Sequence, residues 1–556
     1  MINFLAEISK LSDRTIHPTP SNKYPKNYNI YELDIRTGKN RPKDEYWEKI
    51  WGGHFDNFAG SDISLYYGTT IEKVETLGEL LTTNNRMLIE GGIVYINVPM
   101  HTWLYPDYKT EARDVLLFTS SAINPDRPSD AILNNTQSFT KLQIPNFSIK
   151  LSDNFAGMSL NQGFAVSLAN NDGYFDDEDE WNLFNTLVYI KKSAKEISAY
   201  EDFKEIRRGY ADNAATSFDI FSVTVSDRLR AMNEPVCKVV SNDIFPNVEI
   251  TESSSADKNW PVVYGVKTIK LLKLNQSQYA TAEKVASVMA VFDKDGNALR
   301  VNTDYTFDIA TGIITTVLAA DTATIQGYTN NKIGEIIKDL VVRKANIAYG
   351  PTHWNADEVN DYIDNLSPQI NIEINSGDVK TAINNVLKSD MAYFIQQLDG
   401  KFTIRKYNEH YKTHLIPAWP ITQKPEKDYG KAQENYFSSC KINYQFTGKD
   451  TYHSFLYNIR ENEAEKKYKK ILRKVFDTDL TNQSDAMAFA ELLGKRYIHM
   501  KQTIKIAIGM DTSDMNLLDT VEIPLNINGR KFSNAAKYII KEINPAQDIL
   551  VLEETG

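Results

Sequence analysis

The first candidates for chemistry are two histidines four positions apart, His410 and His414. On a helix this spacing would place both imidazoles on one face, as in zinc-binding helices that also carry a general-base glutamate between the histidines. Here the intervening residues are Tyr411-Lys412-Thr413, so that glutamate is missing. Pro417 and Pro420 follow closely and argue against a helix. We therefore predict that the pair binds no metal.

An acidic turn is a candidate for binding a cation. Carboxylate oxygens are the ligands that Ca²⁺ prefers, and the turn offers Asp172, Asp176, Asp177, Glu178, Asp179 and Glu180. It lacks the EF-hand arrangement, because Leu168 occupies the position five before Gly173, where the first ligand belongs. A solvated charged turn is the simpler interpretation, and a bound cation is the alternative.

A basic run could bind phosphate. It follows three glutamates, Glu461, Glu463 and Glu465, and comprises Lys466, Lys467, Lys469, Lys470, Arg473 and Lys474. Most such clusters are solvated faces or subunit contacts. The whole chain carries a formal charge of −11 and has a pI of about 5.4, opposite in sign to the Lys and Arg excess that phosphate-backbone binding requires. We expect no specific nucleic-acid binding.

Motifs for covalent or phosphate chemistry are missing from the sequence. It has no Gly-rich phosphate loop and no Gly-x-Ser-x-Gly elbow, and no histidine adjoins Cys237 or Cys440 to activate a thiolate. Carboxylates are plentiful, but nothing selects one pair as acid and nucleophile. We predict no catalytic, metal-binding or cofactor-binding residue and no cofactor, and hence no enzyme. The two cysteines could form one disulfide in principle, although folding in a reducing cytoplasm is the simpler interpretation.

The chain must be built from several domains, because 556 residues are too many for one core. Its 42% hydrophobic content is that of a globular protein. Thirty Tyr and 24 Phe favour strands, since such side chains pack well on pleated surfaces. The N-terminus has no signal-peptide pattern and no 18 apolar residues run together, so we expect a soluble chain.

Alternation of apolar and polar residues predicts a mainly β fold with some α, that is, a multi-domain α+β protein. Phe147, Ile149 and Leu151 should face one way, with Ser148, Lys150 and Ser152 facing the other. The same pattern recurs at Phe164, Val166 and Leu168. Earlier strand-like runs cover 92–98 and 114–118.

Changes in periodicity divide the chain into five segments. We expect an irregular N-terminal region at 1–115, a β-barrel-like domain at 116–236, an inserted β-module at 237–330, a helical connector at 331–375 and an α+β domain at 376–556. The last segment should contain a helix over 378–387, a hairpin turning at Asp399-Gly400 and a long helix over about 484–501. The buried stripe of that helix is predicted to be Met487, Ala490, Leu493, Tyr497 and Met500.

Several stretches resemble phage tail-tip and baseplate hub proteins. Leu168-Ala169-Asn170-Asn171-Asp172-Gly173-Tyr174-Phe175-Asp176 looks like their "L-x-N-x-D-G-x-F-D" segment, and Ile206-Arg207-Arg208-Gly209-Tyr210 stands where they have an "F-x-G-x-I"-like strand. The segment 223–232 is similar to their next strand-to-helix junction. Trp260-Pro261-Val262-Val263-Tyr264-Gly265 resembles a "P-V-V-Y-G" element. The resemblance covers roughly 150–556, and the order of the motifs carries it.

The resemblance implies a mechanical role in the virion, with the chain made in the bacterial host cytoplasm. Such hubs form a ring, typically a homotrimer, whose tandem barrel-like domains continue the tail tube. By analogy, 146–236 and 376–556 would be the tube-like layers, and 237–330 a peripheral insertion. The implied partners are other copies of the chain, the tail tube or distal tail protein, the tape measure protein, and other baseplate proteins or fibres.

The implied channel constrains the charges of the chain. DNA would pass through the lumen during ejection without specific binding, because tight phosphate contacts would slow it. We therefore expect the acidic turn 176–180 and the basic run 466–474 at subunit contacts or on the exterior.

Two other functions stay open. One is a tail-borne cell-wall or polysaccharide hydrolase, which would need a carboxylate pair with perturbed pKa values in a cleft. The other is a receptor-binding or glycan-binding module, which would expose clusters of Trp and Tyr.

Overall fold

The computed structural model describes the chain in segments, and its side chains are described from Phe147 onward. The described segments are 3–11, 30–34, 39–40, 63–67, 70–74, 87–90, 93–97, 113–119, 147–152, 155–161, 163–170, 175, 187–193, 203–217, 219–251, 258–407, 409–417, 421, 425–428, 436–446, 452–458, 472–497, 503–524, 526–527, 530–531 and 537–555. They belong to two compact units. The first unit comprises 1–144, 165–203 and 210–225, and the second comprises 145–164, 204–209 and 226–556.

The first unit is built on sheets. Most residues of the largest described sheet in this unit belong to six strands, in the order Phe164–Ala169, Ile220–Ser226, Lys204–Thr216, Leu187–Ser193, Asn3–Leu11 and Arg113–Thr119. Phe164, Lys204–Gly209 and Ser226 of these strands are assigned to the second unit. A second sheet has the order Lys39–Asn40, Ile30–Asp34, Ile93–Asn97 and Met87–Glu90, and a hairpin joins Ile63–Tyr67 to Thr70–Val74. The strands predicted within 92–98 and 114–118 are confirmed, whereas the sequence does not predict the strand Asn3–Leu11.

The core of the second unit combines sheets with short helices. Its largest described sheet has the order Leu160–Asn161, Ile149–Lys150, Lys537–Asn544, Ile549–Glu554, Thr503–Ala507 and Glu426–Asp428, and Thr520–Glu522 joins Lys537–Asn544 to Thr413–Leu415. Two three-stranded sheets have the orders Gly157–Met158, Ala392–Gln396, Phe402–Lys406 and Tyr452–Asn458, Ser439–Phe446, Arg473–Asp477. This unit also has three strand pairs: Lys238–Val239 with Asn259–Trp260, Val262–Tyr264 with Ile372–Ile374, and Asn526–Ile527 with Arg530–Lys531.

Four α-helices of this unit are used below. They are α1 (Ile333–Asp339), α2 (Ala356–Asp361), α3 (Val379–Leu387) and α4 (Gln483–Tyr497). A π-helical turn extends α1 over Leu340–Lys344 and another extends α2 over Tyr362–Leu366, and a 3₁₀-helix spans Arg228–Asn233. Asp378 caps α3, because its side chain accepts a hydrogen bond from the Thr381 N–H at 2.7 Å. The helix expected over 378–387 is confirmed.

A β-module within the second unit packs two sheets on a shared core. One sheet has the order Val266–Lys270, Thr322–Gln326, Ser287–Phe292, Ala298–Leu299, and the other Leu272–Lys273, Gln278–Ala280, Ile313–Thr316, Tyr305–Asp308. Buried Val291 and Ile325 of the first sheet and Tyr279 and Ile314 of the second belong to one apolar cluster. Together with the sheets of both units, this confirms the predicted mainly β fold with some α.

The alternation predicted for 147–152 is only partly correct. Phe147, Ile149 and Leu151 are buried as expected, but Ser148 and Ser152 are buried as well. Ser152 tolerates burial because its hydroxyl donates to the Ala156 carbonyl at 3.2 Å. The segment is therefore covered on both faces.

The buried stripe predicted for α4 is wrong at one end. Met487 is 43% exposed, and the residues that face the core are Ala486, Phe489, Ala490, Leu493, Gly494 and Arg496. Because Ala486 and Phe489 are buried, the buried face of α4 is shifted by one position from the predicted stripe, which began at Met487. Met500 lies outside the described residues. Sequence periodicity also could not predict the burial of Arg496, since its burial depends on partners from other elements.

Gly265 occupies a position that admits no side chain. Its φ of +73° is a left-handed conformation, and an added Cβ would lie 2.0 Å from the Asn371 Oδ1 atom. That oxygen accepts a hydrogen bond from the Val266 N–H at 3.0 Å, so moving it would break a contact. We predict that Gly265→Ala lowers the free energy of unfolding by about 1–3 kcal/mol. Urea unfolding measures this, with Gly296→Ala as control: it has similar strain (φ +83°) but open space. Equal losses would show that φ alone matters.

Candidate functional site

A cavity of about 670 Å³ lies in the second unit. Its lining comes from distant parts of the chain: Lys204, Glu205, Asn355, Glu358, Gln397, Leu398, Asp399, Arg405, His410, Tyr411, Lys412, Ser513, Asp514, Asn516 and Asp519. Every lining residue except Leu398 has a polar or charged side chain. The cavity is thus suited to polar groups, in contrast to the apolar pockets that hold most small-molecule ligands.

Arg405 is the central residue of the cavity wall. Its guanidinium donates to both Glu358 oxygens, at 2.8 and 2.6 Å, and to Asp519 Oδ1 and the Leu517 carbonyl, each at 2.8 Å. It also lies 4.5 Å from the centre of the Tyr411 ring. Burial lowers the pKa of Arg405, but hydrogen bonds and charges from Glu358 and Asp519 outweigh burial and raise that pKa above its ordinary value. The group is a permanent cation that holds two carboxylates.

The two carboxylates are occupied by further donors. The Thr403 hydroxyl donates to Glu358 at 2.7 Å, and the Asn516 N–H donates to Asp519 at 2.9 Å. A glycosidase needs one carboxyl group that stays protonated and a second that attacks or activates water. Both carboxylates here are held by the Arg405 guanidinium, an arrangement that suits a structural role.

Other charges lie at the rim of the cavity. Lys204 Nζ is 2.8 Å from Asp514 Oδ2 and 3.9 Å from Asp511 Oδ2. The hydrogen bond from Lys204 is the main cause that lowers the pKa of Asp514, so this carboxyl is ionised at neutral pH and cannot serve as a general acid. The lining holds three cations, Lys204, Arg405 and Lys412, against five carboxylates.

The histidine pair is not on a helix. His410 lies on the cavity wall in a loop, and His414 lies in the strand Thr413–Leu415. His414 Nε2 is 2.9 Å from Asp519 Oδ2. In the described segments, no group of three or more His, Cys, Asp or Glu residues could hold a metal ion.

We predict that the two histidines can be removed without loss of the fold. In His414→Ala, Asp519 keeps Arg405 and the Asn516 N–H, so the cost should be about 1 kcal/mol, that of one hydrogen bond. His410→Ala should change the free energy of unfolding by less than about 0.5 kcal/mol. Urea unfolding with and without a chelator measures both effects. A large loss in the variants, reproduced in the unaltered chain by the chelator, would contradict this prediction.

A second buried ion pair attaches α4 to the C-terminal strand. Arg496 donates to Tyr393 Oη at 2.5 Å and to Glu553 Oε1 at 3.3 Å. Lys541 Nζ lies 3.0 Å from Glu553 Oε2, and the Tyr407 hydroxyl donates to Glu553 at 3.4 Å. The Glu553 carboxylate therefore compensates the buried Arg496 charge and also binds the partly exposed Lys541.

Two residues of the family-like motif, Asn170 and Phe175, are described and hydrogen-bonded to each other in the first unit. Asn170 is buried, and its side-chain oxygen accepts a hydrogen bond from the Phe175 N–H at 2.9 Å. The Phe175 and Phe221 rings stack with centroids 4.3 Å apart. These buried motif residues therefore stabilise the six-stranded sheet of the first unit.

Two other motifs are built into the second unit. Burial lowers the pKa of Arg207 to about 10 although Asp227 opposes the shift, and the guanidinium carbon lies 5.7 Å from the Phe147 ring centre. Val262 and Tyr264 are buried in the strand that pairs with Ile372–Ile374. These motif residues therefore have a packing role.

The other residues that the sequence analysis singled out are not among the residues that line the cavity. Of the acidic turn, positions 172 and 176–180 lie outside the described residues, as do 466–470 of the basic run. Arg473 is exposed, and partial burial lowers the pKa of Lys474. Both cysteines are buried and free, so the disulfide is not formed; burial raises the pKa of Cys237 to about 11 and that of Cys440 to about 12.

No helix among the described residues is long and apolar enough to cross a membrane.

Comparison with known proteins finds no matching family model and no matching curated protein. The chain is similar to solved structures of a 43 kDa tail protein of prophage MuSo2 from Shewanella oneidensis (11% identity, 74% of this chain and 94% of that one, TM-score 0.36) and prophage tail protein gp18 from Listeria monocytogenes EGD-e (8%, 77% and 93%, 0.38). It is also similar to a chain in the virion of a native gene transfer agent particle (10%, 57% and 88%, 0.38). No cavity residue is assigned a role from these likenesses.

Proposed function

We propose that this chain is a structural protein of a phage-type tail, a hub that forms a ring at the tail tip and surrounds the channel for tape measure and DNA. The observation that carries the proposal is the ordered series of hub-like motifs from Leu168 to Gly265. Residues of these motifs serve as buried turn, strand and packing elements, as expected of motifs that maintain a scaffold. The proposed role is therefore assembly.

The domain roles belong to the same proposal. The segments 146–236 and 376–556 would form the tube-like layers, and the β-module within 237–330 would project to neighbouring proteins. The partners would be other copies of the chain, the tail tube or distal tail protein, the tape measure protein and other baseplate proteins. The chain would reside in the virion.

The geometry of the cavity favours this role over hydrolysis. Glu358 and Asp519 are both held by Arg405, and the rim carboxyl of Asp514 is kept ionised by Lys204. A catalytic pair would need one carboxyl free to donate a proton. The proposal therefore assigns the chain no enzymatic activity and no cofactor.

A glycan-binding role finds little support in the described aromatic residues. Sugar-binding surfaces expose Trp and Tyr rings, but Trp260 and Trp354 are buried in apolar clusters. Tyr411, on the cavity wall, is covered by the Arg405 guanidinium. We therefore favour the hub role over glycan binding.

The test is the position and copy number of the chain in isolated tails. Gold-labelled antibody against the chain should mark the end of the tail, and quantitative mass analysis should give several copies per tail, three for a trimer. Labelling along the whole tube, or one copy per tail, would contradict the hub role. Release of sugar or peptide from cell wall by the purified chain would favour the hydrolase.

A further inference from the structure

The β-module and the centre of the second unit have separate apolar cores. In the described residues, the two clusters that contain module residues, around Ile325 and around Ile313, share no residue with the cluster at the centre of the unit. The boundary runs through one strand, because Val263 belongs to a module cluster whereas its neighbours Val262 and Tyr264 belong to the central one. Parts of a chain with separate cores are expected to move relative to each other unless a large apolar interface joins them.

Charged side chains connect the module to the centre. Glu283 of the module accepts hydrogen bonds from Arg343 Nη1 at 3.0 Å and from Lys344 Nζ at 2.6 Å, and both cations lie on the π-helical turn that extends α1. These three residues are here named the latch, and their side chains are 8–28% exposed. Lys267 Nζ, also in the module, lies 3.0 Å from Asp479 Oδ1. Such contacts replace hydrogen bonds to water, so their net contribution is small compared with their strength in isolation.

Arg343 is also held at the centre without Glu283. Asp339 accepts a hydrogen bond from Arg343 Nη2 at 2.9 Å, and the guanidinium carbon lies 4.6 Å from the centre of the Tyr328 ring. The Tyr264 hydroxyl donates to Asp339 at 2.6 Å and fixes that carboxylate in turn. Release of Glu283 would therefore leave no unpaired guanidinium in the partly buried layer.

The base of the module consists of chain segments that run side by side. The Gly265 N–H donates to the Tyr328 carbonyl at 2.8 Å, and the Gly327 N–H donates to the Gly265 carbonyl at 2.9 Å. The segment 240–258, which carries part of the second module cluster, begins and ends at the strand pair Lys238–Val239 with Asn259–Trp260. Hinges are formed by a few residues at the ends of elements, and these residues are often small. The two glycines at the base are therefore suitable pivots.

We propose that the β-module is hinged on the rest of the second unit and pivots at Gly265 and Gly327. The latch holds it in the orientation described above. In the open form Glu283 and Lys344 are hydrated, while Arg343 keeps its other carboxylate and each apolar core stays intact. Opening is therefore distinct from unfolding. All of these contacts lie within one chain, so the hinge is independent of the hub role.

Distances between two spin labels in the full-length chain test the hinge. One label is attached to the module at Val317→Cys and the other to α4 at Met487→Cys, since both positions are exposed. A second pair, with Ile309→Cys in place of Val317→Cys, detects a pivot that leaves the first distance unchanged. The native thiols should stay unlabelled, because both are buried and have raised pKa values.

We expect one narrow distance distribution in the chain with an intact latch. Glu283→Gln should raise the ratio of open to closed chains roughly tenfold or more, as expected for the loss of charged hydrogen bonds, and so add a second, broader distance. Lys344→Met leaves Arg343 bound to Glu283 and should give an intermediate ratio. Near-ultraviolet circular dichroism should show both variants folded.

Asp295→Asn is the matched control, because it removes one carboxylate from an exposed turn of the module outside the latch. It should leave the narrow distribution unchanged. The hinge would be overturned if Glu283→Gln and Lys344→Met keep the narrow distribution for both label pairs, or if Asp295→Asn broadens it equally. Loss of the near-ultraviolet signal in both latch variants would also contradict it, because the latch would then hold the fold and not an orientation.

Discussion

Replacing Arg405 by Met is expected to destabilise the second unit by about 3–5 kcal/mol, because it leaves the buried Asp519 and the partly buried Glu358 carboxylates without their shared cation. The Arg405 and Asp519 side chains are 4% and 1% exposed, so water cannot replace the lost hydrogen bonds to Asp519. Glu358 is partly exposed and would recover some solvation. The shift of the urea unfolding midpoint, followed by near-ultraviolet circular dichroism, measures the effect.

The matched control is Lys401→Met in the same hairpin. Lys401 Nζ is 3.7 Å from Asp399 and both side chains are well exposed, so its removal should cost less than about 1 kcal/mol. The double variant Arg405→Met/Glu358→Leu should recover part of the loss, since it removes one of the two stranded carboxylates. A urea unfolding midpoint of Arg405→Met close to that of Lys401→Met would contradict the structural role of Arg405 in this cavity.

Replacing Arg496 by Met is expected to cost roughly 3 kcal/mol, a smaller loss than that of Arg405→Met. The reason for the difference is that Glu553 keeps Lys541 at 3.0 Å, whereas among the described residues Asp519 keeps only His414, which is a cation only when it is protonated. The damage should be concentrated where α4 meets the C-terminal strand Ile549–Glu554. Faster amide hydrogen exchange in both elements is the measurement.

Lys495→Met is the control for this prediction, because Lys495 is the exposed neighbour on the same helix. It should change stability by less than about 0.5 kcal/mol and leave exchange unchanged. Equal exchange in the two variants would show that Arg496 does not attach the helix.

Local sequence patterns predicted one hairpin and the helix α3, because the signals for both lie in a few neighbouring residues. The hairpin Ala392–Gln396/Phe402–Lys406 was predictable because Asp399-Gly400 supplies a turn, with Gly400 at φ +75°. The helix α3 was predictable from its capping Asp378 and apolar spacing. In α4, by contrast, Met487 fits the helical period and is still exposed, because the neighbouring strands select the face around Phe489. Periodicity therefore predicts the type of an element more reliably than the face that the element buries.

The cavity could not have been predicted from the sequence. Its wall combines Lys204, Glu358, Arg405 and Asp519, which are separated by up to 315 positions. No short motif links them, and only the fold brings them together. His414 illustrates the same limit: its spacing from His410 suggested a helical metal site, but its partner is Asp519, 105 positions away.

The central claim, that the chain works as a ring at a tail tip, is tested most directly by averaged negative-stain images of the purified full-length chain and of isolated tails. We expect closed rings with threefold symmetry and a central opening, and the same ring at the end of the tail. Monomers at every concentration, together with tails whose tips lack a ring containing this chain, would contradict the claim.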